Sequence, residues 1–257
     1  ECFRNGSGMS RAGNYPMAEI RTLAGLGAIL AGFTALPAQA VPVTLCGTSI
    51  CYEYDNDANV NQGISLYGAP TLLSGNTLRF VPSSFNADSD YGSPIPTPTS
   101  TAVFKFSRVY TTNGGEVASI TVTESGDYQI IGAGAVNVNM RLQSVDNVDD
   151  GAVTPGFAEV TAPQFNWNTS TPTGFALANW SLTGVITPAA LFSDLATDVD
   201  FSIQNTLQAF ASSPNYAFVQ KKLSLQVTAV STVPVPAAAG LFGSALGGFG
   251  LRRRRFG

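Results

Sequence analysis

Through the middle of this chain, apolar and polar residues alternate one by one. Val136, Val138, Met140 and Leu142 fall on one side, and Asn137, Asn139, Arg141 and Gln143 fall on the other. A half-buried β-strand has this period, because its successive side chains point to opposite faces. The pattern recurs in Val199, Phe201 and Ile203 against Asp198, Asp200, Ser202 and Gln204. It appears again in Leu223, Leu225, Val227 and Ala229 against Ser224, Gln226 and Thr228. Phe104 with Phe106, and Ile120 with Val122, mark two more strands, which Asn113-Gly114-Gly115 is predicted to join as a hairpin. Glu124-Ser125-Gly126-Asp127 is predicted as the next turn, leading into residues 128–131, and residues 175–177 and 180–182 complete the strand set.

Between residues 41 and 231 a helical period of useful length is missing, and residues 189–196 have room for one short turn of helix. Short strands separated by turn signals predict an all-β fold, an antiparallel β-sandwich of jelly-roll-like type. Roughly 190 residues are enough for one such domain with its own core. The Pro/Thr-rich run from Ser93 to Ser100 is predicted as an extended surface loop.

Charge separates the body from its ends. Residues 41–236 hold fifteen acids and six bases, a net charge of −9, whereas the whole chain carries −4. An acidic body without a basic stripe excludes nucleic acid as a partner, since phosphate binding depends on displacing counter-ions with Lys and Arg. Cys46 and Cys51 are the two cysteines of the body. Their spacing predicts a disulfide over a tight loop, suited to an oxidising compartment. A loop so short contributes about 2 kcal/mol or less through chain entropy.

The chain has no histidine, which removes Ser-His-Asp and Cys-His catalysis and His-ligated zinc. No catalytic residue is assigned. Two carboxylates across a cleft would suffice for a glycosidase, so a secreted carboxylate-dependent glycoside hydrolase stands as the alternative to a noncatalytic binding or structural protein. No cofactor is assigned, and calcium is the candidate metal weighed against that reading. Asp55 and Asp57, in Asp55-Asn-Asp-Ala-Asn-Val-Asn61, place oxygens at every second position, and Asp149 with Asp150 form the other acidic pair. Asx-rich turns between strands explain both runs without a metal. Trp167, flanked by Asn166 and Asn168, is the candidate ring for stacking on a sugar, against the alternative of a core position; Trp180 alternates with Leu182 and is predicted core.

The two ends have a different character. Arg21 precedes the apolar stretch 23–36, and Pro37-Ala38-Gln39-Ala40 follows it with a small-x-small cleavage site at Ala38 and Ala40. Residues 17–40 are therefore predicted as a signal peptide and residues 1–16 as an upstream or start-site extension. At the other end come Val233, Pro234, Val235, Pro236 and Ala237, then an uncharged Gly/Ala-rich run to Leu251, then Arg252, Arg253, Arg254 and Arg255. Residues 237–251 span roughly 22 Å as a helix against a hydrocarbon core of about 30 Å, and counting from Val233 brings the run nearer to a full span. The arginines would hold the C-terminus in the cytoplasm as a stop-transfer cluster.

A proline motif, a membrane-directed helix and a terminal Arg cluster, in that order, resemble the PEP-CTERM sorting signal of Gram-negative bacteria. Val235 stands where that motif's name-giving Glu would be. The resemblance covers residues 232–257. It implies export across the inner membrane, transient membrane attachment through the C-terminal transmembrane helix, and processing by exosortase near the proline motif. It further implies display at the cell surface or release into an extracellular matrix or biofilm, in association with extracellular polysaccharide. Residues 41–231 are then the extracellular β-sandwich domain.

Overall fold

The alternating segments become strands because each can bury one row of side chains while wetting the other. The computed structural model describes residues 42–89, 98–146, 160–192 and 195–232. In chain order the elements are β1 (Pro42–Cys46), β2 (Ile50–Asp55), α1 (Ile64–Tyr67), β3 (Thr71–Ser74), β4 (Thr77–Phe80), β5 (Phe85–Ser89), β6 (Thr99–Thr111) and β7 (Val117–Ile131). There follow β8 (Gly134–Asp146), β9 (Val160–Thr161), β10 (Gln164–Thr169), β11 (Ala178–Ile186), α2 (Pro188–Leu191), β12 (Asp198–Ala211) and β13 (Tyr216–Ser231).

They form two antiparallel sheets. The first has the order β1-β2-β6-β12-β8-β10, with β9 also beside β8; the second has the order β11-β7-β13-β4-β3. β5 pairs with residues 217–221 of β13 and β4 with residues 225–228. The predicted inward rows are the observed core: Val136, Val138, Met140, Leu142, Val199, Phe201, Ile203, Leu225, Val227 and Ala229 are all buried. Rings fill the middle. Phe104 of the first sheet lies 4.8 Å, centroid to centroid, from Phe80 of the second, and 5.0 Å from Phe106.

Three expectations about turns need correction. Asn113-Gly114-Gly115 does turn the chain, with Gly114 at φ 72 and the Asn113 side chain accepting from the Gly115 amide at 3.0 Å. It does not close a hairpin: β6 pairs with β2 and β12, and β7 pairs with β11 and β13. Two strands that each bury one face can meet across a sandwich as readily as side by side, and alternation cannot tell these apart. Second, residues 124–127 are not a turn but the middle of β7. Gly126 serves close approach there, since a Cβ at this position would lie 1.9 Å from the Gln220 carbonyl oxygen. Third, residues 175–177 lie outside any strand, and Phe175 is 89% exposed in a turn after Gly174.

The first hairpin is fastened to the opposite sheet. Cys46 faces Cys51 across β1 and β2, and a disulfide joins them. The Asn76 side chain accepts from the Ser49 amide at 3.0 Å, and the Tyr52 hydroxyl donates to the Asn76 carbonyl at 2.5 Å. The same hydroxyl accepts from the Ala229 amide on β13 at 2.9 Å. Burial holds the Tyr52 phenol well above its ordinary range.

The predicted leader with Ala38 and Ala40, the motif Val233–Ala237, the cluster Arg252–Arg255, and Asp149 with Asp150 lie outside the described residues. Among the described residues, no helix is long and apolar enough to cross a membrane.

Candidate functional site

The outer face of the first sheet carries a lattice of amides and hydroxyls. Register places Thr99, Gln208, Asn137 and Asn168 in one row across β6, β12, β8 and β10, and Thr101, Thr206, Asn139 and Asn166 in the next. Both rows follow from the strand period, which sends these residues outward whenever Val136, Val138, Ile203 and Leu207 point inward. The Asn137 amide donates to Gln208 at 3.0 Å, the Asn139 amide donates to Asn166, and the hydroxyls of Thr101 and Thr206 are 3.1 Å apart. A shallow depression of about 480 Å³ opens beside them, lined by Asn137, Asn166, Asn168, Thr169 and Phe210 among others. Charge is absent from both rows. Such a surface exchanges hydrogen bonds with a neutral, hydroxyl-rich ligand without having to desolvate ions.

A second constellation lies inside the sandwich. Glu124 on β7, Asn205 on β12 and Lys221 on β13 are all buried, with Glu124 and Asn205 at 0% exposure and Lys221 at 2%. The Lys221 ammonium donates to Glu124 Oε2, and the Asn205 amide donates to the same oxygen at 2.8 Å. Lys221 Nζ also sits 5.2 Å from the centre of the Tyr67 ring and 5.4 Å from that of Phe85. Burial lowers the Lys221 pKa, with the Glu124 charge opposing the shift. Burial and then the Glu124 charge push the Tyr67 phenol well up, while hydrogen bonding with Asn205 opposes them. Among the described residues, Glu124 Oε1 and Asn205 Oδ1 have no hydrogen-bond partner. The arrangement is an amine, a carboxyl group and a carboxamide held together without water access.

These three residues were missed by sequence reading, although each stands in an inward row. Glu124 continues Ile120 and Val122, Asn205 continues Phe201 and Ile203, and Lys221 continues Ala217 and Val219. A polar residue in phase with a core row is the signal that would have found them. β13 bulges between Lys221 and Ser224, so the row resumes at Leu225.

The acidic run near β2 is a pair of Asx turns. Asp55 Oδ1 accepts from the Asp57 amide at 2.8 Å, and Asp57 Oδ1 accepts from the Asn59 amide at 2.9 Å. Among the described residues, no group of three or more Asp, Glu, Cys or His side chains is placed to hold a metal ion. Trp167 points inward from β10, half-buried, with its ring 5.2 Å from Tyr128 and 6.0 Å from Trp180. Trp180 is core, and its indole donates to the Gln220 carbonyl at 3.0 Å. A groove of about 180 Å³ lined by Lys105, Gln143, Asp200 and Ser202 among others holds one carboxylate. Glu53 and Asp198 flank Arg108 at 4.0 Å and 2.6 Å as a surface ion pair.

No family model and no curated protein matches the chain. Among solved structures, the chain is similar to a protein in the structure of the infectious bursal disease virus Gt strain. That likeness has 12% identity and a TM-score of 0.25, over 68% of this chain and 44% of that one. For the Gx strain of the same virus, the identity is 11% and the TM-score 0.24, over 78% of this chain and 49% of that one. The chain spans less than half the length of either. Likenesses at such TM-scores carry no argument about fold or function.

Proposed function

We propose that this chain is an exported, noncatalytic β-sandwich protein of a Gram-negative bacterium, displayed at the cell surface or released into the matrix. There it serves as a structural or binding component associated with neutral extracellular polysaccharide. The observation that carries this reading is the tripartite tail: Val233–Ala237, the apolar run, and Arg252–Arg255. The fold is compatible with processing at both ends. β1 begins at Pro42, directly after the Ala40 site, and β13 ends at Ser231, just before the proline motif. Cutting at either place removes no described strand. Successive strands β6, β7 and β8, and again β11, β12 and β13, alternate between the sheets, which supports a jelly-roll-like reading of the sandwich.

Intact-mass analysis of the protein from its native host tests the routing. The mature species is expected to begin at Val41 and to end near Pro236, and a surface species still carrying Arg252–Arg255 would overturn exosortase processing. The amide lattice supports the choice of a neutral glycan. Co-sedimentation with the host's own extracellular polysaccharide is expected to be saturable. Replacing Asn139 and Asn166 together with Ala is expected to weaken it roughly tenfold or more, at about 1 kcal/mol for each hydrogen bond lost. Unchanged binding in that variant would move the contact elsewhere.

A further inference from the structure

We propose that Lys221 and Asn205 become joined by an amide bond inside the sandwich, formed by the protein itself with Glu124 carrying the proton. This inference stands on the buried cluster alone and does not depend on the export reading. Three features support it. The amine and the carboxamide come from opposite sheets, β13 and β12, and meet at one carboxylate oxygen. All three groups are walled off by apolar residues and the rings of Tyr67 and Phe85. Among the described residues, Glu124 Oε1 and Asn205 Oδ1 are left without partners, although a purely structural ion pair would be expected to satisfy both atoms.

The chemistry follows from the surroundings. A lysine amine in water is protonated and does not attack an amide. Burial here lowers the Lys221 pKa, and a proton passed from Lys221 to Glu124 replaces a buried ion pair by two neutral groups. The free Nζ lone pair then attacks Asn205 Cγ, forming the C–N bond while the carbonyl π pair moves onto Oδ1. A half-turn of the carboxamide about Cβ–Cγ brings Oδ1 to the place where Nδ2 now meets Glu124, so the protonated carboxyl can donate to the developing oxyanion. As the carbonyl re-forms, the Cγ–Nδ2 bond breaks. Nδ2 takes one proton from Nζ, relayed through Glu124, and leaves as ammonia. Lys-NH3+, Glu-COO− and Asn-CONH2 thus give Lys-NH-CO-Asn, Glu-COOH and NH3. Neither oxidant nor cofactor is required. Fixed proximity of the three groups replaces what a bimolecular reaction would need in concentration.

The product ties one sheet to the other through β13, the strand nearest the proposed attachment motif. Denaturing intact-mass spectrometry of the purified full chain is expected to read one ammonia less than the disulfide-bonded sequence. Tryptic digestion is expected to leave residues 142–222 as one internally looped peptide, one ammonia lighter than its sequence, with no cleavage after Lys221. Asn205→Leu and Lys221→Met are expected to restore the full mass expected for each variant, and Glu124→Gln to slow or stop the loss. A folded wild-type protein that keeps its full mass on prolonged incubation, with free Lys221 and intact Asn205 in the digest, overturns the proposal without reference to any variant.

Discussion

In an Asn205→Leu background, which keeps the Lys221–Glu124 pair free of any cross-link, exchanging Lys221 for Met alone is expected to lower the unfolding free energy by about 3–5 kcal/mol, because it strands the Glu124 charge in a fully buried site. Glu124 is fully buried, and one of its oxygens lacks a partner among the described residues. Glu124→Leu alone is expected to cost a similar amount by stranding the amine. The double exchange removes both charges and is expected to recover most of the loss, since a buried pair gains little over apolar side chains of like volume. Urea melts of the four proteins check this; additive single effects would show that the two residues do not act as a pair.

Phe104→Ala is expected to be the other large loss, at about 3–5 kcal/mol for deleting a fully buried ring. At the scale usual for domains of this size, that lowers the melting temperature by roughly 6–20 °C. The ring touches both sheets, with Tyr54 at 5.5 Å, Tyr67 at 6.3 Å, Phe80 at 4.8 Å and Phe106 at 5.0 Å. By contrast, Phe175→Ala removes a ring that is 89% exposed and is expected to leave the melt within about 0.5 kcal/mol of wild type. Calorimetry of the two variants side by side checks the contrast.

Much of the architecture is legible in the sequence. Val136 to Leu142, Val199 to Ile203 and Leu225 to Ala229 announce strands, and their inward halves are the buried ones. Pairing was not legible. The Asn113-Gly114-Gly115 turn has the composition of a hairpin yet carries the chain from one sheet to the other, because local turn chemistry bends the backbone without specifying what the next strand meets. Gly126 misled in the opposite way, as a glycine chosen for the nearness of Gln220 looks in sequence like one chosen for a turn.

The buried cluster shows the same division. Alternation by itself determined that residues 124, 205 and 221 stand in inward rows, since a strand's side chains have a fixed period whatever surrounds them. Only the tertiary structure decided that these rows, separated by as many as 97 residues in sequence, bring one carboxylate, one amine and one carboxamide to a single point. Strand periodicity is a property of the backbone and is written locally. Which strands face each other is settled by how all the apolar rows bury together, and that is a property of the whole core.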